Sequence, residues 1–331
     1  MVSSRTSHMN TVETIARRIT LRELRLLLAV ARSGSILKAA NEIGLTQPAL
    51  SKCIAELEGA FGVRLFDRTN RGVTPTPHGE VLLRRATGVF EELRQAVDEL
   101  GFLTDGSRGE LRIGGTPTMC AGLLPRAIST VLDQRANFRF HIAELESGQL
   151  ASEVLTRSLD FGIGREHNAG NNNNLVFDRL FDDRLFIVAG AKHPLATRRS
   201  VTLDEVARHQ WLLPATDGSM ILQLRNEFRR QKIELPKSAV TTMSMLVRHE
   251  LIATNCFLTV MYGSALRFGN APRFLRVLPL DVRTGIPIGI IRLKNRTLAA
   301  SAELFMETVR EIVRPMSSIS ATQLRREAHV G

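Results

Sequence analysis

Between Leu21 and Gly62 the chain sets apolar residues at helical spacing and interrupts them twice, at Ser33-Gly34-Ser35 and at Gly44-Leu45-Thr46. Few folds accept that rhythm. Leu21, Leu24, Leu27, Leu28 and Ala31 give a first helix one apolar face. Ser35 stands as N-cap of a second helix, Ile36 to Ile43, whose Ala39 and Ala40 allow close helix approach. Gly44 supplies a tight turn and Thr46 the next N-cap. Pro48 then falls in a first turn, where a missing backbone N–H costs nothing. The third helix carries Leu50, Ile54, Leu57 and Phe61 on one side. Two short capped helices joined by a glycine-containing turn predict a helix-turn-helix.

In such a unit the first residues of the second helix of the pair meet base edges in the major groove. Here these are Thr46, Gln47, Pro48 and Ser51, with Lys52 beside them. Gln47 can pair bidentately with adenine, Pro48 offers apolar surface to a thymine methyl, and Ser51 can donate or accept. Lys52 is assigned to a phosphate. The free N–H groups behind Ser35 suit a second phosphate, with Lys38 adding charge. Downstream, Asp67 to Thr76 reads as two extended pieces around a glycine-containing turn, a wing. Its Arg68 and Arg71 can lie along the DNA backbone or enter a minor groove. Alone, Arg-x-x-Arg reads as a solvated turn; its place directly behind a helix-turn-helix favours DNA. The net charge of +11 on 331 residues agrees, since it favours polyanionic partners.

These residues carry a resemblance. Ser35-x-x-x-Ala39-Ala40, then Thr46-Gln47-Pro48-Ala49-Leu50-Ser51-x-x-Ile54-x-x-Leu57-Glu58, then Phe61-Gly62-x-x-Leu65-Phe66-x-Arg68 and Thr76-x-x-Gly79 resemble the LysR-type transcriptional regulators, without a gap from Leu21 to Gly79. Thr46, Ile43 and Phe61 are conservative departures. The resemblance implies a DNA-binding regulator of promoters, with the rest of the chain a small-molecule sensing domain.

From Gly79 to Leu103 a helical pattern continues unbroken. Leu82, Ala86, Val89, Leu93, Ala96, Leu100 and Leu103 alternate spacings of four and three, a heptad seam. Such a rod is about 37 Å long. Periodicity alone leaves two readings open, pairing with another helix or packing on its own domain. The resemblance implies pairing between subunits, a homodimer, and on the same analogy a homotetramer.

Beyond a Thr104-to-Gly109 linker the texture changes to short apolar strands alternating with amphipathic helices, which predicts an α/β domain with a largely parallel sheet. Leu111 to Gly114 reads as a strand, followed by Thr116-Pro117-Thr118 and a helix, an arrangement ready for an anion. The plainer reading is a helix cap. Further strands, Phe138 to Leu145 and Leu159 to Ile163, end beside Ser147 and at Gly164-Arg165. In an open sheet, strand ends gather ligands at one edge. Trp211 to Leu213 is another strand, and the helix beyond it opens at Thr216, Gly218 and Ser219. The resemblance implies a two-lobed form similar to periplasmic solute-binding proteins, with these residues lining the cleft between lobes. Beyond Arg108 stand 29 Lys and Arg against 21 Asp and Glu. Either an anionic effector, with Arg165 and Arg225 as its cationic partners, or a basic surface beside DNA accounts for that surplus.

The fold expected is therefore an N-terminal all-α winged helix-turn-helix with a long linker helix, then a C-terminal α/β two-lobed effector domain. Its divisions are a flexible extension (1–19), a DNA-binding domain (20–78), the dimerisation helix (79–105), the effector domain (109–315) and a polar tail (316–331). The expected partners are double-stranded promoter DNA, a non-covalent effector, further copies of the chain and RNA polymerase, with no cofactor and no membrane. The absence of a signal-like apolar start predicts the cytoplasm. Three distant cysteines, Cys53, Cys120 and Cys256, argue against disulfides and zinc. No phosphate loop, nucleophile elbow or His-Glu-x-x-His is present, which argues against an enzyme. Two rival regulators remain. One is a redox switch using Cys120, whose place near a helix N-terminus can lower its pKa. The other is an architectural DNA-binding protein without ligand control.

Overall fold

The computed structural model describes residues 19–69, 72–106, 108–166, 173–214, 219–242, 244–269, 274–280, 282 and 285–318. The chain divides into two compact units, Met1–Ala96 and Val97–Gly331.

The first unit opens with three helices: Leu21–Ser33 (α1), Ile36–Glu42 (α2) and Gln47–Phe61 (α3). Thr20 and Glu23 cap α1 reciprocally: Thr20 Oγ1 accepts from the Glu23 N–H at 3.3 Å, and Glu23 Oε2 accepts from the Thr20 N–H at 2.7 Å. Gly34, at φ 64°, ends it. The α1 face differs from the expected one. Leu26, Leu27, Ala29 and Val30 are buried, whereas Leu21 is 47% exposed. The α1 core begins a full turn later, so Leu21 extends past its edge. Leu26, Leu27, Val30, Ala39, Ala40, Leu50, Ile54 and Leu57 close into one core with Leu65 and Phe66.

Strands Phe66–Thr69 (β1) and Gly72–Pro75 (β2) pair antiparallel as the wing. Helix α4, Pro77–Thr104, follows. Thr76 caps it: its Oγ1 accepts from the Gly79 N–H at 3.1 Å and donates to the Arg64 carbonyl at 2.7 Å. The helix start is pressed so close to β1 that a Cβ on Gly79 would lie 2.0 Å from the Leu65 carbonyl oxygen. Only glycine fits there.

The second unit contains Arg108–Gly115 (β3), Pro117–Cys120 (α5), Leu123–Gln134 (α6), Asn137–Glu144 (β4), Ser147–Leu155 (α7) and Phe161–Arg165 (β5). These build lobe 1. Strand β6, Leu175–Gly190, then runs into lobe 2. Lobe 2 comprises Leu203–Ala207 (α8), Gln210–Leu213 (β7), Ser219–Arg230 (α9), Ser238–Thr241 (β8), Met245–Ala253 (α10), Phe257–Tyr262 (β9), Gly263–Phe268 (α11) and Leu275–Val277 (β10). The chain returns through Gly285–Leu293 (β11) and closes lobe 1 with Ala300–Val313 (α12).

The sheet order is β4-β3-β5-β11-β6-β9-β7-β8, with β10 pairing β6. It corrects the expected largely parallel sheet. β3 pairs parallel with β4 and β5, and β7 with β8 and β9, but every pairing of β6 or β11 is antiparallel. The reason is that two connections cross between the lobes in opposite directions. Residues 175–184 of β6 lie against β11, and 185–189 against β9. Each lobe keeps its own core: one around Phe161, Phe305 and Ile290, the other around Trp211, Phe228 and Val260. In the second, Trp211 Nε1 donates to the Val206 carbonyl at 2.9 Å and the ring meets Phe228 edge-on at 6.0 Å.

Met316 is buried in a short turn, Arg314–Ser318, that packs on lobe 1, so the expected tail at 316 is structured at its start. Residues 1–18 of the expected extension and 319–331 of the expected tail lie outside the described residues. Among the described residues no helix is long and apolar enough to cross a membrane.

Candidate DNA interface and effector cleft

The start of α3 stands clear of the core that its later residues build. Thr46, Gln47, Pro48 and Lys52 are exposed and Ser51 half-buried, while Leu50, Ile54 and Leu57 are buried. Thr46 has the extended backbone of an N-cap, but its hydroxyl makes no capping bond. The first α3 N–H groups and that hydroxyl therefore face outward, where phosphate and bases can use them. Lys52 Nζ lies 3.8 Å from Glu56 Oε1, an exposed pair that a phosphate can displace at little cost. Ser35 Oγ accepts from the Lys38 N–H at 3.4 Å, and Lys38 points to solvent. Arg68 is exposed on β1; Arg71 lies outside the described residues.

Two groups that carry no DNA role fix this geometry. Glu58 Oε1 accepts from the N–H groups of Leu65 at 2.7 Å and Phe66 at 3.2 Å, tying α3 to the wing. The Val73 N–H donates to the Gly34 carbonyl at 2.9 Å, and Gly72, at φ 132°, would place a Cβ 2.5 Å from that carbonyl oxygen. The wing is thus seated on the α1–α2 turn. Glu58 was visible only as a motif letter; its work needs the fold.

Along α4 the seam divides. Leu82 is half-buried and Ala86 buried, with Leu82 packed on the DNA-binding core. Val89, Leu93, Val97, Leu100 and Leu103 are 39, 44, 71, 65 and 74% exposed, and Ala96 is exposed. The first half packs on its own domain, and the second half is left exposed. Within the second unit the end of α4 is anchored by Asp98, which accepts from the Glu110 N–H at 2.8 Å and the Ser301 hydroxyl at 2.5 Å.

In the effector domain the strand order brings the predicted lobe 1 residues to one edge. Thr116 follows β3, Ser147 opens α7 behind β4, and Gly164-Arg165 ends β5. Thr116 is fully buried, its N–H donating to the Ile163 carbonyl at 3.2 Å, and its Oγ1 has no hydrogen-bond partner. A Cβ on Gly164 would lie 2.7 Å from Thr116 Cγ2, so the glycine lets the threonine stand there. Pro117 and Thr118 are half-buried in α5.

Arg165 reaches lobe 2. Its guanidinium carbon lies 5.3 Å from the Tyr262 ring centroid. Nearby, the fully buried Asp183 accepts from the Ser264 N–H at 2.9 Å and from the Ser264 hydroxyl. Burial pushes the Asp183 carboxyl up to about 7, against the opposing pull of those bonds and of the Arg165 charge.

Several expectations shift. Thr216 and Gly218 lie outside the described residues, as does the side chain of Ser219, the first residue of α9. Arg225 is exposed and lines a concavity of about 720 Å³ with Arg229, Lys232 and Lys237, walled by Leu213, Ile233, Leu235 and Pro236. Its charge follows the outward face of α9. Cys120 lacks the lowered pKa of a redox switch. Burial first, and then the Glu144 charge, push its thiol up to about 11. The helix that was to activate it, α5, is a single four-residue turn.

One group escaped the sequence reading. Arg248, on α10, is 5% exposed, and burial alone pushes it down to about 10. Its Nη2 donates to the Val260 carbonyl of β9 and its Nε has no partner. No described carboxylate pairs with it. Asn255 follows this helix in a left-handed turn at φ 64°, its Oδ1 accepting from the Lys192 N–H at 2.9 Å.

A winged helix-turn-helix followed by a two-lobed α/β domain defines a class of ligand-responsive regulators, and comparison with known proteins names it. The bacterial regulatory helix-turn-helix of the lysR family matches residues 21–80 and the LysR substrate binding domain matches residues 104–314, so the chain belongs to the LysR family of transcriptional regulators. It is 28% identical over 299 residues to the HTH-type transcriptional regulator YdcI of Escherichia coli (strain K12), covering 89% of this chain and 96% of that one. A full-length OxyR variant from Pseudomonas aeruginosa shares the fold with a TM-score of 0.65 at 21% identity, over 91% of this chain and 99% of that one. CbnR complexed with its target DNA matches with a TM-score of 0.51 at 19% identity, over 88% and 99%.

Proposed function

We propose that Thr46, Gln47, Pro48 and Ser51 read operator bases, that Lys52, Lys38, Arg68 and Arg71 with the Ser35 helix start hold phosphates, and that a small anionic molecule in the interlobe cleft controls the outcome. The observation that carries the first part is the exposed, uncapped start of α3 on a helix whose remaining face is core. CbnR, similar in fold, is known in complex with its target DNA. The exposed run from Val89 to Leu103 is the pairing surface of a homodimer, which spaces two reading heads, and two dimers make a tetramer. Thr116, Pro117, Thr118, Ser147, Gly164 and Arg165 form the lobe 1 wall of the cleft, and Thr216, Gly218 and Ser219 are assigned to the same effector. Effector binding biases one arrangement of the oligomer, and promoter output changes through RNA polymerase. The chain works in the cytoplasm, as a regulator rather than an enzyme, and uses no cofactor beyond the reversible effector.

The test is selection of bound duplexes from a random pool, followed by binding at graded salt. Gln47→Ala loses preference at particular operator positions, by about 1–3 kcal/mol each. Lys52→Ala weakens all duplexes alike and reduces the salt slope by about one. Unchanged preference in Gln47→Ala would remove the base-reading assignment.

A further inference from the structure

Each lobe is built on the same path. In lobe 1 the chain runs β3, α6, β4, α7, β5, with β4 and β5 on opposite sides of β3; in lobe 2 it runs β7, α9, β8, α10, β9, with β8 and β9 on opposite sides of β7. Strand order therefore reverses between β3 and β5, and again between β7 and β9. In open α/β sheets the carboxyl ends of the strands at such a reversal form a crevice that takes ligands. In lobe 1 that crevice is Thr116 beside Gly164-Arg165. In lobe 2 it lies between Leu213 and the last residues of β9, where the Arg248 guanidinium reaches the Val260 carbonyl. The β7–β9 ladder stops at Trp211↔Leu258, so the Val260 carbonyl is left to the Arg248 guanidinium.

A guanidinium removed from water without a carboxylate is costly, and a hydrogen bond to the Val260 carbonyl with a weak one to the Met245 sulfur at 3.7 Å does not offset that cost. Arg165 lies over the Tyr262 ring, whereas Arg248 has no carboxylate partner among the described residues. Both arginines engage the last three residues of β9, one at the Val260 carbonyl and the other on the Tyr262 ring, positions about 7 Å apart along a strand. The lobe 2 charge thus lies at the edge that faces lobe 1.

We infer that Arg248 is the lobe 2 anchor for the effector, and that the effector is a small organic carboxylate whose anionic group supplies the missing counter-charge. This rests on the cleft being the sensing site.

Sodium formate, the smallest carboxylate, is the probe, with sodium chloride at equal ionic strength as reference, in thermal unfolding of the full chain. Wild type shows a saturable rise in melting temperature, about 3–5 °C at ten times Kd. In Arg248→Met that rise is lost while the formate-free melting temperature stays level or increases, because a buried unpaired charge has gone. Arg248→Lys keeps a reduced rise. An Arg248→Met variant that melts well below wild type without formate would give the guanidinium a purely structural job and overturn the inference. Equal formate responses in the two proteins would do the same. Operator selection on the wild type runs in parallel: a chain with no duplex preference refutes the regulator's base contacts, whatever formate does at Arg248.

Discussion

Asp183 has no exposed surface, and that gives the stability of the effector domain a pH slope that can be calculated. Burial moves its carboxyl from 3.8 up to about 7. In the range between those values the folded chain holds the proton and the unfolded chain has released it. Raising the pH therefore favours unfolding, and this contribution to stability is lost as pH climbs towards 7. Between about pH 5 and about pH 7.5 the loss amounts to about 2–3 kcal/mol. Asp183→Asn retains the shape and an acceptor for the Ser264 N–H, and it removes the slope. The assay is urea unfolding at both pH values, followed by the fluorescence of Trp211, the chain's one tryptophan, buried in lobe 2. His193 and His249, both held below the usual histidine range chiefly by burial, add stability as pH rises. They are common to both proteins and cancel in the difference. The stability of wild type relative to Asp183→Asn should fall from the lower pH to the higher. A difference flat in pH, or one rising with pH, would mean that Arg165 and the Ser264 bonds keep Asp183 ionised, and the burial argument would be refuted.

Three other outcomes follow from particular contacts. Gly79→Ala puts a methyl 2.0 Å from the Leu65 carbonyl oxygen and should destabilise the DNA-binding unit by about 2–4 kcal/mol, seen as an earlier calorimetric transition with operator affinity reduced. Val97→Lys combined with Leu100→Lys, at positions 71 and 65% exposed, should leave the circular dichroism unchanged and shift sedimentation to a smaller species. Cys120→Ser together with Cys256→Ser should leave the promoter response intact, since burial and Glu144 push the Cys120 thiol up to about 11; loss of response would restore the redox reading.

The DNA-binding unit was legible because its information is local. Ser35 and Gly34 punctuate helices within a few residues of where they stand, and the Leu50-Ile54-Leu57 stripe needs only the helical period to be read. Even there the α1 face was misplaced, because Leu21 matches the period and lies beyond the core's edge. The effector domain was legible element by element and not as a sheet. Strands such as Leu111 to Gly114 announce themselves by apolar texture, but direction depends on how the chain returns, and β6 and β11 cross between lobes with nothing local to mark it. The seam of α4 was ambiguous for a physical reason: one period serves two environments, core at Ala86 and solvent at Leu100.

The cleft shows the opposite limit. Arginine near a strand end or a helix start is a local signal, which marks Arg165 and Arg225, and the fold lays the first over the Tyr262 ring and turns the second outward. Arg248 sits in Val247-Arg248-His249-Glu250, a stretch whose polarity reads as solvated surface. What makes it different is that β9 is inserted on the far side of β7 from β8, so α10 connects the two and its arginine reaches the Val260 carbonyl of β9. That is a property of topology. A charge becomes chemically significant when its surroundings remove water without supplying an opposite charge, and such surroundings are assembled from α10 and the strands beside it, β7 and β9, elements spread from Gln210 to Tyr262. The same reasoning explains why Thr116 was found and its buried, partnerless hydroxyl was not. Residue type and helix position mark where a ligand could touch, whereas the unmet hydrogen bond and the unmet charge mark what the ligand has to bring.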